Sequence, residues 1–388
     1  MALRAYEPDV RTDYGPEQNA MAAYLADGAA RAARLGNRGP IRYTADGALA
    51  PDILEAYRQT GFYVFEGVLG DEELADIERD VDELVERAPA FEGAALDRHG
   101  RPALGAGCTA PTFFWARPLG DPFGGTTLAN GRHPARMYEP APATGAPDKI
   151  MYLVLGSLQF SDACLRVYGH PDLLAVAAAV NGSDFTPFNE ALWIKKPGQG
   201  ASVAWHQDGV THWDSPDLDW GTHGFNFMAQ LYGCTAANGV WVVPGSHTWG
   251  KVDIKALVAA AGSDRLPEAV PMICAAGDVA ICNRQAVHGS FANTSQHTRV
   301  TVNLGFNRRR SVHGITAGGV HNAVATYDDE RIRTRARLIA YAIDARRQRF
   351  PHETPYVYQP LADAVDEFRW NEAARADIVD YNLLDLSI

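Results

Sequence analysis

The sequence predicts a mainly β fold, a sandwich or barrel of short strands with helices packed on it from both ends of the chain. Three observations lead there. Between about residues 186 and 310, short apolar runs are broken by turn residues: EALWIKK before Pro-Gly, SVAWHQD, FNFMAQLYGC before Ala-Asn-Gly, VWVVPG, DVAICN and TRVTVNLGFNRR. Regular short strands with such punctuation are the pattern of an all-β core. Asn238-Gly239, set between two apolar runs, is a hairpin signal. Helical periodicity is confined to the flanks.

Taken in order, residues 1–50 read as an N-terminal arm with one helix over 17–34 and a loop around Gly36 to Pro40. From Pro51 a short helix stops at Gly61 and a strand, FYVFEGV, follows. Gly70-Asp71 opens a further helix with Asp71 as its expected cap. Within it Leu74, Ile77, Val81 and Leu84 recur at helical spacing as one apolar stripe, which is core packing. Residues 90–148 are rich in Gly and Pro and lack periodicity, as expected of a functional loop or lid. The strand-rich core belongs to a unit over 51–315. Residues 316–388 form a C-terminal extension on the same domain, with Ile332, Ala336, Ile339 and Ile343 on one face of a long helix.

A chain of 388 residues with 46% hydrophobic and 21% charged residues has ample apolar material for one core. Its net charge of -12 argues against a nucleic-acid-binding surface, and Arg308-Arg309-Arg310 is too short a basic run to change that. No apolar stretch is long enough to cross a bilayer and the first residues carry no signal core, so no membrane partner and a cytoplasmic location are expected. Five scattered cysteines (Cys108, Cys164, Cys234, Cys274, Cys282) without a CxxC pair suggest neither a disulfide framework nor a zinc site. Hydrolase, P-loop and dinucleotide motifs are missing as well.

Chemistry concentrates in VAWHQDGVTHW. His206 and Asp208 stand two apart at a strand end, so both side chains point to one face and offer one ion an imidazole nitrogen and a carboxylate oxygen. An open-sided site needs a third protein ligand, for which His288, after the strand DVAICN, is the best candidate. Arg299 follows eleven residues later at the start of an alternating strand, placed to reach the pocket behind the metal and take a carboxylate through two N–H groups. Alone, His206 and Asp208 are equally well read as a surface hydrogen-bonded pair.

The ordered set HxD, distant His, then Arg resembles the two-histidine-one-carboxylate site of the Fe(II)- and 2-oxoglutarate-dependent dioxygenases, specifically the phytanoyl-CoA dioxygenase family. TGFYVFEGVLGDEEL resembles that family's entry segment, and WHQDG, NGVWVVPGSHTWG and GDVAICNRQAVHGSFANTSQHTRVTVNLGF match its core in order. The resemblance covers residues 57 to 310. It implies a double-stranded β-helix, the cupin-like jelly roll, with helices from both termini outside. By the same resemblance His206, Asp208 and His288 would bind Fe(II), and Arg299 would bind the distal carboxylate of 2-oxoglutarate. Lys149 falls where members of the family often carry a co-substrate lysine. Leu192 and Gln230, on strands flanking the site, are further candidates for that pocket.

The implied reaction is hydroxylation of an unactivated C–H bond of a small-molecule substrate by O2, with 2-oxoglutarate converted to succinate and CO2. Related halogenating enzymes have a small residue in place of the carboxylate, so Asp208 favours oxygen transfer or desaturation. Two other readings stay open: a cupin-like protein that binds metal and a small molecule without turnover, and the same scaffold carrying out desaturation, epoxidation or cyclisation. His212 and His223 read equally as substrate contacts or loop residues, His247 as part of a structural turn, and His297 as exposed. Trp205, Trp213 and Trp220 fit a pocket but fit a core better. The C-terminal helices offer surface for a homodimer.

Overall fold

Strands alternate between two sheets as the chain advances, and that alternation builds the barrel. The computed structural model describes residues 13–209, 213, 223–318 and 323–385. Its strands are β1 (Arg38–Gly39), β2 (Phe62–Phe65), β3 (Phe113–Ala116), β4 (Ile150–Leu155), β5 (Thr186–Lys195), β6 (Val203–His206), β7 (Gly224–Gln230), β8 (Trp241–Val242), β9 (Val270–Pro271), β10 (Val279–Asn283), β11 (His288–Ser290) and β12 (Arg299–Asn307). The large sheet runs β1-β2-β10-β7-β12-β5-β4-β3 and the small one β6-β11-β8-β9. From β5 onward the chain passes between the large and the small sheet at every step except β8 to β9, which pair within the small sheet, and this is the winding of a double-stranded β-helix. The expected mainly β fold with flanking helices is the fold found.

The helices are α1 (Gln18–Ala33), α2 (Pro51–Thr60), α3 (Asp71–Arg87), α4 (Asp162–Tyr168), α5 (Pro171–Asn181), α6 (Ile254–Ala261), α7 (Arg309–Val312), α8 (Asp329–Arg349) and α9 (Glu372–Asp377). Ile77, Val81 and Leu84 of α3, the stripe expected from the sequence, join Leu165 of α4 and Ile339 of α8 in a core against the outer face of the large sheet. That face contributes Leu192, Ile194, Val300 and Val302, while Ala191, Trp193, Arg299, Thr301 and Asn303 line a cavity on the inner face, as the period of two requires. The cap of α3 is Gly70 rather than Asp71: the Gly70 N–H donates to the Glu73 carboxylate at 3.4 Å, and Asp71 opens the first turn among acidic neighbours. The apolar face of α8 is turned inward against this core.

Two expectations change. Asn238-Gly239 does not close a hairpin, because β7 pairs with β10 and β12 in the large sheet while β8 pairs with β11 and β9 in the small one. The turn carries the chain across the barrel instead. The N-terminal arm, in turn, is woven into the barrel: β1 pairs with β2, and α1 lies on the outer face of the small sheet with Tyr24 stacked on Trp241 at 4.5 Å. Gly28 permits that approach, since a Cβ there would sit 2.3 Å from the Trp241 ring.

Candidate metal centre

The register of one strand pair sets the site. β6 and β11 run antiparallel with His206 directly opposite His288, and their rings lie 4.1 Å apart between centroids. Beyond β6 the Asp208 N–H donates to the Arg284 carbonyl at 2.8 Å, which keeps the chain aligned long enough to return its carboxylate to the same face. Ligand atoms of His206, Asp208 and His288 all lie within 4.8 Å of one another, and all three residues are buried.

Each imidazole is oriented through its other nitrogen. Nδ1 of His206 lies 2.8 Å from the Ala204 carbonyl and Nδ1 of His288 lies 3.0 Å from the Ala286 carbonyl. A carbonyl can only accept, so Nδ1 carries the proton and Nε2 presents its lone pair to the shared point. The Nε2 atoms of His206 and His288 are 3.4 Å and 3.8 Å from opposite oxygens of Asp208. Burial, reinforced by His206, pushes His288 down to about 4, so it is neutral at physiological pH, the form that binds metal. Burial alone would raise the Asp208 carboxyl, but Arg132, then His206 and His288, outweigh it and hold it well below the usual carboxylate range. The donor set therefore fits a divalent cation with open coordination positions: two imidazole nitrogens and one carboxylate.

The cavity beside this triad has a volume of about 150 Å³. Arg299 lines it, with Nε donating to Thr301 Oγ1 at 2.8 Å and Nη1 to the Asn238 carbonyl at 3.0 Å. Gln230 stands one step behind, accepting from Thr301 Oγ1 at 2.8 Å. The neighbour of Arg299 across the β5–β12 ladder is Lys195, fully buried, whose Nζ donates to Ser290 Oγ at 2.8 Å and to the Phe291 carbonyl at 2.7 Å.

The other candidates go elsewhere. Lys149 is half-exposed just before β4 and pairs with Glu92, so it is not at the cavity; the lysine beside Arg299 is Lys195. Leu192 faces the helices, packed into the apolar core one position out of phase with the cavity-lining Ala191 and Trp193. His247 is a packing residue, with Nε2 3.0 Å from the Arg58 carbonyl, and His297 is exposed. Trp205 is core, donating to the Asp264 carbonyl, and Trp213 is buried with its N–H on the Asp208 carbonyl at 3.2 Å. His223 is buried near the start of β7 and does not line the cavity. His212 and Trp220 lie outside the described residues.

Sequence reasoning missed two neighbours of the candidate metal ligands. Arg132 Nη1 is 3.0 Å from Asp208 Oδ1, and the His133 ring stacks between Phe123 and His206 at 4.9 Å and 4.2 Å. Both come from the aperiodic 90–148 segment, which thus forms one wall of the cavity. Asn226 was missed as well; its Nδ2 donates to Asp208 Oδ2 at 2.9 Å. At the far end Asn382 and Asp385 bring the C-terminal extension to the cavity. The only sequence signal for the first pair was the lid reading itself.

Comparison with known proteins agrees with the residue pattern. The sequence model described as phytanoyl-CoA dioxygenase matches residues 57–301. Similar solved structures include EvdMO1 (21% identity, TM-score 0.44, 65% of this chain and 48% of that one). Others are EctD from S. alaskensis with 2-oxoglutarate and 5-hydroxyectoine (20%, 0.46, 69% and 79%) and the carbocyclase SnoK from nogalamycin biosynthesis (17%, 0.43, 69% and 87%). The chain thus spans about half the length of EvdMO1. No curated protein matches the sequence. Among the described residues no helix is long and apolar enough to cross a membrane.

Proposed function

This chain belongs to the phytanoyl-CoA dioxygenase family, and from that premise we propose that it is an Fe(II)- and 2-oxoglutarate-dependent dioxygenase that hydroxylates a small molecule. The observation that carries this reading is the facing pair His206 and His288, with the Asp208 carboxylate between them, opening on a cavity that also holds Arg299. His206, Asp208 and His288 would hold the iron, which when bound supplies the activation of O2 coupled to decarboxylation of 2-oxoglutarate.

The chain's own residues bind and orient. Arg299, braced by Thr301 and the Asn238 carbonyl, offers a guanidinium to the distal carboxylate of 2-oxoglutarate. Asn226 fixes the Asp208 carboxylate by holding Oδ2 and so sets which oxygen is presented. Phe114, Phe123, Leu153 and Trp193 make an apolar wall that excludes water from the reacting carbon.

Anaerobic titration with Fe(II) and 2-oxoglutarate, read by the weak visible charge-transfer band of the ternary complex, tests the proposal. The wild type should develop the band. Asp208→Ala should weaken iron affinity by more than about tenfold, and Arg299→Ala should weaken 2-oxoglutarate affinity while sparing iron. No band at saturating iron and co-substrate would overturn the reading and favour metal and ligand binding without turnover. With a substrate in hand, product mass separates hydroxylation, which adds one oxygen, from desaturation, which removes two hydrogens.

A further inference from the structure

We infer that Arg132, presented by the lid beside Asp208, is the anchor for a carboxylate on the primary substrate, so that the enzyme acts on a small organic acid. The inference rests on the dioxygenase reading for what the neighbouring metal does, and on geometry for the anion site.

The Arg132 side chain is only 10% exposed, and among the described residues it has few partners. It lines the cavity, and among the described residues its one close anion is Asp208 at 3.0 Å, in an alignment that makes no hydrogen bond; Nε and Nη1 both lack a hydrogen-bond partner. Beside it the two ring nitrogens of His133 are likewise buried and unpartnered in the same cavity wall. Burying a guanidinium without satisfying its donors is costly, and a ligand carboxylate is the group whose shape matches its N–H fork.

Its side of the triad differs from that of Arg299. Asp208 turns Oδ1 towards His206 and Arg132, and Oδ2 towards His288 and Asn226. Arg299 belongs with Ser290 and Lys195, reached by continuing along β11 from His288. Two guanidinium groups thus flank the metal position from its two sides, and one distal carboxylate of 2-oxoglutarate can occupy only one of them.

Charge balance points the same way. With Arg335 and Asp385 paired to each other, the cavity has the guanidinium groups of Arg132 and Arg299 in its lining and that of Arg284 behind Phe188, against the single remaining lining carboxylate, Asp208, among the described residues. A divalent metal adds two positive charges and 2-oxoglutarate two negative ones, so the loaded site stays positive until another anion enters. That excess sits inside a chain whose net charge is -12. The lid is also built to hold Arg132 in place. Ala129, Asn130 and Gly131 take φ values of 48°, 58° and 68°, and left-handed backbone at the two non-glycine positions is strained. The cavity volume of about 150 Å³ and the rings of Phe114, Phe123 and Trp193 suit a compact acid with an aromatic or aliphatic body.

The test uses the full chain with Fe(II) and 2-oxoglutarate under anaerobic conditions and isothermal titration with hydrocinnamate, hexanoate and the amide of each. In the wild type at least one acid should bind more than about tenfold tighter than its amide, as expected for a charge-assisted contact, and Arg132→Gln should bring that ratio to within about threefold of unity. Arg132→Lys, which keeps the charge but loses the fork, should give an intermediate ratio, and its thermal unfolding confirms a folded protein. Equal affinities for acid and amide in the wild type, an unchanged ratio in Arg132→Gln, or no binding by either acid would each overturn the inference. So would loss of 2-oxoglutarate affinity in Arg132→Gln but not in Arg299→Gln, because Arg132 would then serve the co-substrate. Acid selectivity that depends on Arg132 in a protein that fails to bind 2-oxoglutarate would retain the anion site and remove the dioxygenase reading.

Discussion

The cavity has walls of two kinds, and they are held in place by different means. The strand wall, with Ala191 and Trp193 on β5 and Arg299, Thr301 and Asn303 on β12, is fixed by a backbone ladder: β12 pairs along its whole length with β5 and from Thr301 onward with β7. The loop walls have no ladder, and buried carboxylates take its place. In the lid, Asp121 accepts from the backbone N–H groups of Phe123, Gly124 and Met137, closing the loop that presents Arg132 and His133. The C-terminal tail is held by Glu190 of β5, which accepts from Ser157 and from Tyr381 of the tail, and by Asp385, which pairs with Arg335. A carboxylate with two acceptor oxygens can gather several donors at one point, which irregular backbone needs and a sheet does not.

If this contrast is right, the strand wall should fail globally and the loop walls locally. The largest effect is expected at Leu192, fully buried behind the strand wall: Leu192→Ala should lower unfolding free energy by about 2–5 kcal/mol in urea denaturation. Its affinity for 2-oxoglutarate should stay within about twofold of wild type, because the side chain faces away from the cavity; Arg299→Gln should show the reverse, about a hundredfold weaker co-substrate binding with little change in stability. A large affinity loss in Leu192→Ala would mean that the two faces of β5 are not independent. Lys149→Ala, on the surface, should move neither quantity.

A smaller and more local effect is expected at Asp121. Asp121→Ala strips the acceptor from three backbone donors, which should cost about 2–3 kcal/mol. The loss should appear as faster amide hydrogen exchange confined to residues 121–137 while the β5 and β12 amides keep their protection. Exchange that accelerates equally in the strands would show that the lid and the barrel unfold as one unit.

The same division explains what the sequence disclosed. His206, Asp208, His288 and Arg299 were legible because each sits on or at the end of a regular strand, where spacing along the chain converts directly into direction in space. Leu192 was misplaced for a related reason. β5 is covered on both faces, by helices outside and by the cavity inside, so Ala191 to Ile194 run apolar without a break and nothing in the alternation there says which parity faces in. Arg132 and His133 were illegible because no period links position to direction in a loop fixed by a distant carboxylate. Lys149 showed a charge but no depth. Asn382 and Asp385 reach the cavity through contacts with β5 and α8, far away along the chain, and no local pattern records that.

The effect that reads the tail wall most directly is a pH dependence at Glu190, seen only as a difference between two stability profiles. Burial raises its carboxyl from the ordinary value of 4.5 to about 7, against the lowering effect of hydrogen bonds from Ser157 and Tyr381. The folded protein therefore holds a proton on Glu190 that the unfolded chain releases as pH rises above 4.5. Folded-state proton uptake of this sign gives stability that is full below about 4.5 and lost as pH rises through about 7. In Glu190→Gln the group no longer titrates, so the difference in unfolding free energy between wild type and variant should shift by about 2–3 kcal/mol in the variant's favour between pH 5 and pH 8. Taking the difference cancels every other group that titrates in the window, including the histidines. Parallel stability profiles for the two proteins would show that Glu190 is ionised throughout, and that the tail is held by the charged carboxylate rather than by a shared proton.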